Sequence, residues 1–277
     1  MPSADTPPAC RLCGATNISM QELAPDGTQT LKCSSCGLTF LHPVPAPQQI
    51  HCQYDAAYYT PWINAQAGAR TKLWERRAKL LASLKKAGKL LDIGCGDGSF
   101  LHTAKGLGWD VCGTEVSQWA CEHISKRGLT VRHGELLELE LPRAEYDAVT
   151  LWHVLEHVRD PLATLRKAHS LLKPDGVLVI AVPNAANYLT RAAYAMVKMR
   201  TLKFYTPGER ELHLFNFSES NLLGFLDKAG FRPVSAGIDK SATRFGEKIL
   251  ETAAVALKAA TGLNYSQALQ IVSVKKQ

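Results

Sequence analysis

LDIGCGDGSF, Leu91 to Phe100, is a short apolar run that breaks into a glycine-rich loop and then enters a helix. Open α/β folds bind nucleotides with this strand, loop and helix N-terminus. Its details select the ligand. Gly94, Gly96 and Gly98 are spaced G-x-G-x-G. Dinucleotide folds use G-x-G-x-x-G, whose third glycine lets the helix pack close while its N-terminus holds a pyrophosphate. Asp92 lies inside the strand, two residues before the first glycine. A carboxylate there sits poorly with a pyrophosphate and suits a ligand carrying ammonium and sulfonium groups. Glu115, 23 residues after Asp92, closes the next strand, where an acid can accept both ribose hydroxyls.

Outward from this loop, strand-like and helical runs alternate. The strands read KLLDIG, DVCGTEV, LTVRHG, YDAVTLW, GVLVIAVP, RPVSAGI and ALQIVSVKK. Ser117 is an N-cap with Gly128 as the stop, Asp160-Pro161 opens a helix that KPDG (173–176) ends in a turn, and Ser218 and Gly230 bracket another. Alternation of this kind predicts a doubly wound α/β domain, a parallel sheet with helices on both faces.

LLDIGCGDGSF, VCGTEVS, YDAVTLWHVLEHVRDP, LLKPDGVLVIAVPN and HLFNFSESNLLGFLDKAGF together make residues 88–240 similar to a class I S-adenosylmethionine-dependent methyltransferase. The resemblance implies a seven-stranded, mostly parallel sheet ending in a β-hairpin. It implies that Asp92, Gly94, Cys95 and Gly96 lie along the cofactor's methionine part. Glu115 would hold the ribose, with Val116 beside the adenine and Glu135 and Leu136 flanking it. Leu151, Trp152 and His153 would close over the sulfonium side.

Cys10-x-x-Cys13 and Cys33-x-x-Cys36 form C-x2-C-x19-C-x2-C, the spacing of a zinc ribbon. Gly14 and Gly37 follow the second cysteine of each pair, where the turn needs positive φ. Four thiolates close a tetrahedral structural Zn²⁺ site with no open position for catalysis. A ribbon, a proline segment (Pro43, Pro45, Pro47) and a tyrosine-rich linker resemble the front of bacterial sugar, polysaccharide and natural-product methyltransferases. The expected layout is a disordered tail at 1–9, a ribbon at 10–42, a linker at 43–63 and the cofactor domain at 64–277. A ribbon-bearing group that methylates ribosomal RNA has C-x3-H as its second pair, a pattern this chain lacks.

His153-Val-Leu-Glu156-His157 matches H-x-x-E-H, a zinc-hydrolase motif. It directly follows the fourth strand of the methyltransferase-like region, where that family carries the string without metal. Methyl transfer to a hydroxyl or acidic C–H needs a proton acceptor, and histidine suits that near neutral pH. His157 with Glu156 fixing its tautomer is the first candidate, with His153 and His213 beside it. A purely structural role for His157 competes. In sugar C-methyltransferases an equivalent Glu-His pair and linker tyrosines line the acceptor pocket, which points to Tyr58 and Tyr59. Residues 187–205 read as a lid-like insertion, with an ordinary packed helix and an interfacial helix as alternatives.

The 277 residues include 46% apolar types, and the formal charge is +7. Between Asn64 and Leu90, eight basic residues face Glu75 alone, so this one segment holds the whole excess. It reads as the solvated face of a helix with Leu73, Leu80 and Leu84 inward, or as a docking surface for an anionic or lipid-linked acceptor. Few aromatics interleave with these cations, against a nucleic-acid stacking platform. No transmembrane run or secretory signal is present, so the cytoplasm and reduced thiols are expected. The leading reading is methylation of a small molecule. RNA methylation and a non-catalytic relic of the fold are the rivals.

Overall fold

The computed structural model describes residues 8–65, 67–199, 201–208, 211–242 and 245–276. Residues 1–7 of the expected tail and Arg200 of the insertion lie outside them.

Three short strands open the chain: β1 (Ile18–Leu23), β2 (Gln29–Cys33) and β3 (Thr39–His42). Three helices follow, α1 (Pro47–His51), α2 (Ala56–Ala65) and α3 (Ala67–Leu84). The alternating part is β4 (Lys89–Ile93), α4 (Ser99–Gly106), β5 (Asp110–Glu115), α5 (Gln118–Lys126), β6 (Thr130–His133), β7 (Tyr146–Trp152), α6 (Pro161–Leu171) and β8 (Leu172–Pro183). The chain closes with α7 (Tyr188–Lys198), β9 (Phe215–Asn216), α8 (Glu219–Lys228), β10 (Phe231–Ile238), α9 (Phe245–Thr261) and β11 (Ala268–Lys275).

The large sheet has seven strands in the order β10-β11-β8-β7-β4-β5-β6. The four pairings from β8 to β6 are parallel, and β11 runs antiparallel between β8 and β10. The order reverses at β4, with β7 on one side and β5 on the other. A ligand crevice forms there, outside the carboxyl ends of the strands. All seven expected strands are present. Two details differ. β10 and β11 pair antiparallel but are joined through α9, not by a tight hairpin. The turn expected at 173–176 lies within β8: pairing steps from Tyr146↔Leu172 to Ala148↔Val177, so Lys173 to Gly176 bulge out of the ladder.

The expected caps hold. Ser117 Oγ accepts from the Ala120 amide at 3.2 Å, Asp160 Oδ1 from that of Ala163 at 2.9 Å, and Ser218 forms a capping box with Asn221.

Leu80 and Leu84 of α3 pack against the core as expected and Leu73 lines the cavity, but the most buried positions of that face lie between them. Leu73, Leu80 and Leu84 are half-buried, whereas Arg77, Ala78 and Leu81 are buried. A guanidinium can occupy such a stripe only when paired, and Arg77 is.

β3 carries a fourth strand on its open edge. β9 pairs antiparallel with it, Thr39↔Asn216 and Phe40↔Phe215. Leu12, Leu31, Leu38 and Phe40 share one core with Phe215, Phe217, Leu222 and Phe225. The Cys36 carbonyl accepts from Asn221 Nδ2 at 2.6 Å, and the Leu12 carbonyl accepts from Lys228.

Candidate active site

The crevice beside β4 opens into a cavity of about 830 Å³. Asp92 is 2% exposed and accepts a 2.6 Å hydrogen bond from Thr150 Oγ1. Burial raises its pKa to about 7, against the lowering effects of Thr150 and the Arg77 charge. Gly94 has φ 65°, and a Cβ there would stand 2.6 Å from Val154 Cγ2, so only glycine keeps the loop open. Glu115 accepts from the amides of Gly96 and Ser117, each at 2.9 Å. Burial pushes its pKa up, and these donors oppose the shift.

Cys95, Gly96, Val116, Glu135, Leu136 and Trp152 line the same cavity. The Glu135 carboxylate meets His51 Nε2 at 2.9 Å, which ties α1 to the loop after β6 on the cavity wall. Leu151 is a correction. It is fully buried in the core and absent from the cavity wall. Successive side chains of β7 alternate between faces, so Trp152 and Leu151 belong to opposite sides of the sheet.

α2 brings Tyr58 and Tyr59 to the cavity. The Tyr58 hydroxyl donates to Glu211. Tyr59 stacks on Trp119 at 5.5 Å. Burial first, and then neighbouring carboxylates, push both phenol pKa values far up, so neither ionises near neutral pH.

The H-x-x-E-H residues divide their partners. His157 Nδ1 lies 2.8 Å from the Leu212 carbonyl. That carbonyl can only accept, so Nδ1 carries the proton of the neutral ring and Nε2 has the lone pair. The Leu212 carbonyl, not Glu156, therefore fixes the tautomer. Glu156 Oε1 stands 3.8 Å from His157 Nε2 and 3.6 Å from His153 Nδ1. The Glu156 side chain is 1% exposed, and neither carboxylate oxygen has a hydrogen-bond partner. Burial raises its pKa, yet His153, His157 and His213 outweigh this and hold it below the ordinary range.

His153, at φ 58°, turns its Nε2 to Asp239 Oδ2 at 3.2 Å. Burial disfavours the charged ring, but Asp239 and Glu156 raise its pKa to about 9. The His213 ring stands 5.0 Å from that of His157, and burial keeps its pKa low. Ligand-type atoms of Glu156, His157 and His213 lie within 4.8 Å of one another. The two histidines of a zinc hydrolase do not converge here, because His153 faces Asp239.

Arg77, Asp239 and Glu211 were not readable as site residues. The Arg77 guanidinium holds Asp239 with contacts of 2.6 and 3.4 Å and lies 4.4 Å from the Trp152 ring centre. The available signal was an arginine inside the apolar stripe of α3 and an acid directly after β10. Arg70 also turns inward, to Asp97 at 3.4 Å. Two of the eight basic residues of that segment thus serve the cavity and not a docking surface.

The four ribbon thiols lie within 4.8 Å of one another, with Cys10–Cys36 and Cys13–Cys33 sulfur separations of 3.5 Å. Zn–S bonds of about 2.3 Å place tetrahedral sulfurs about 3.8 Å apart, so this donor set fits zinc. The positive φ of Gly14 and Gly37, 77° and 75°, lets each turn close.

A family model described as a methyltransferase domain matches residues 65–236. The chain belongs to this methyltransferase family. Among curated relatives, ubiquinone biosynthesis O-methyltransferases of Rhodopseudomonas palustris and Ruegeria pomeroyi are each 34% identical, over 161 and 165 residues. The matches take in 53% of this methyltransferase-family chain and 63% and 65% of those relatives, so the chain spans just under two thirds of their length. Solved structures agree on the fold. A magnesium protoporphyrin IX methyltransferase of Synechocystis with bound S-adenosylhomocysteine superposes with TM-score 0.59 at 16% identity, covering 83% of this chain and 100% of that one. A Burkholderia thailandensis 1,6-didemethyltoxoflavin N1-methyltransferase gives 0.57 at 16% identity, covering 88% and 97%.

Proposed function

We propose that the chain transfers the methyl group of S-adenosylmethionine to a hydroxyl or acidic C–H of a small molecule, with His157 as the proton acceptor. The observation that carries this is the 2.8 Å contact of His157 Nδ1 with the Leu212 carbonyl. It leaves Nε2 free to take a proton beside a buried carboxylate. Asp92, Gly94, Cys95 and Gly96 are assigned to the methionine end of the cofactor, Glu115 to the ribose, and Val116, Glu135 and Leu136 to the adenine. Bound S-adenosylmethionine supplies a methyl group already activated on a sulfonium.

What remains for the protein is positioning and proton removal. A proton taken at His157 Nε2 makes an imidazolium, which Glu156 stabilises from 3.8 Å. His153 suits the role of base poorly, because its raised pKa keeps it protonated at neutral pH. His213, held neutral by burial, is a second hydrogen-bonding group on the wall. Tyr58 and Tyr59 border the acceptor.

The relatives' O-methylation supports an oxygen acceptor. The ribbon and tyrosine linker support a sugar, polysaccharide-precursor or natural-product class. An RNA substrate fits less well, since Arg70 and Arg77 are committed inward. A structural zinc in the ribbon and a cytoplasmic setting fit the eight free thiols. Among the described residues, no helix is long and apolar enough to cross a membrane.

The test is His157→Ala, assayed against a panel of catechol and sugar hydroxyls, with S-adenosylmethionine affinity measured by calorimetry. Turnover should fall on the order of 10²–10⁴-fold at unchanged cofactor affinity. Near-normal turnover overturns the assignment of the base. A wild-type chain that does not bind S-adenosylmethionine overturns the whole reading.

A further inference from the structure

A second cavity, of about 620 Å³, adjoins the first and shares Tyr58, Pro183, Glu211 and His213 with it. Its other walls come largely from the insertion: Asn187 and Arg191 on or beside α7, and Leu202, Lys203 and Phe204 after it. Its chemistry is unlike that of the cofactor cavity. Two cations, Arg191 and Lys203, belong to this cavity alone. The one acid in its wall, Glu211, lies at the seam, where it accepts a hydrogen bond from the Tyr58 hydroxyl.

The Arg191 guanidinium lies over the Phe204 ring, 4.4 Å from its centre. Stacking uses the flat face of the group and leaves its N–H edge for hydrogen bonds. Arg191 and Lys203 form no ion pair among the described residues. Asn216 Nδ2, a buried donor in the same wall, has no hydrogen-bond partner among the described residues. A buried donor left unpaired is costly, and a ligand oxygen relieves it. Three donor groups around one space, two of them cationic against the single carboxylate of Glu211 at the seam, select an anion.

We propose that this second cavity is an acceptor subsite that takes a carboxylate or phosphate group on Arg191, Lys203 and Asn216. The inference rests on the methyl-transfer reading. The acceptor then spans both cavities. Its reacting end lies at the seam beside His213 and Tyr58, and its anionic end lies under α7. The residues that choose the acceptor are those of the insertion, not the exposed cations of α3.

Calorimetric titration with two probes, pyrophosphate and benzoate, tests this, each with and without saturating S-adenosylhomocysteine. Wild-type protein should bind at least one probe at millimolar concentration, and which one binds distinguishes a phosphate from a carboxylate acceptor. Arg191→Gln should weaken that binding by about tenfold or more, the loss expected of a charge-assisted hydrogen bond, and leave S-adenosylhomocysteine affinity unchanged. Arg191→Lys, which keeps the charge, should retain part of it. If neither probe binds wild-type protein, or Arg191→Gln binds as well as wild type, the subsite is wrong. Failure of S-adenosylhomocysteine to bind overturns the methyl-transfer reading, and with it the role of the anion site in holding a methyl acceptor.

Discussion

On the proposed reading Asp92 meets the cofactor's ammonium group, and its burial then predicts that binding depends on pH. Its pKa of about 7 stands above the unfolded value of about 4. The folded, ligand-free chain therefore holds a proton that the unfolded chain has lost, and this group's contribution to stability falls as pH rises from about 4 to about 7. A cationic ligand reverses the preference, since only the ionised form pairs with an ammonium. Affinity for S-adenosylmethionine should fall by up to about tenfold per pH unit below about 7, with proton release visible by calorimetry in buffers of different ionisation enthalpy. Asp92→Asn should bind weakly at all pH values and remove the dependence. Glu115→Ala should weaken S-adenosylmethionine binding by at least about tenfold through lost ribose hydrogen bonds, and unchanged affinity would contradict its role. Both carboxylates line the cavity, a placement legible in the sequence because a strand end fixes their direction locally. That of Asp239 was not: its partner Arg77 lies 162 residues away in sequence, and only the closed fold brings them together. Asp239→Asn leaves a buried guanidinium half-paired, which should cost about 3–5 kcal/mol in chemical denaturation. It should also lower the pKa of His153 from about 9 towards its ordinary value in an NMR titration. Below about 6.5 His153 is charged in both folded and unfolded chains, so the stability it gains from Asp239 is complete there and is lost as pH rises through about 9.

Elements were readable where their ends are chemical. Ser117, Asp160 and Ser218 cap helices as their side chains dictate. The KPDG turn was misread because proline and glycine specify a bend without specifying whether it ends a helix or bulges a strand. In α3 the leucines turn inward as read, and only Arg77 escapes the reading: a basic residue in an apolar stripe counts as surface until its acid is known. The ribbon is the element with the clearest chemistry. Cys33→Ser should lose one equivalent of zinc by elemental analysis. The loosening should reach past β2 and β3, raising amide exchange in β9 and at the start of α8, because Asn221 holds the Cys36 carbonyl. Full zinc occupancy in this variant would show that the ligands are misassigned.

At the scale of the whole molecule, β9 belongs to the N-terminal sheet by pairing and to the segment that lines the cavity by sequence. Two residues separate the Leu212 carbonyl, which orients His157, from Phe215, which pairs with Phe40 of β3. Nothing local in ELHLFNF marks it as the edge strand of a sheet some 170 residues earlier. The pairing also bears on how such a protein can be inherited. A small cysteine-bearing sheet in front of a methyltransferase domain looks like a cassette that recombination could trade between genes. Cutting after His42 would strand Phe215 and Phe217 without their apolar cover and bare an edge close to the carbonyl that His157 meets. Exchange of either part alone should therefore break this shared core, and the two are expected to be inherited together.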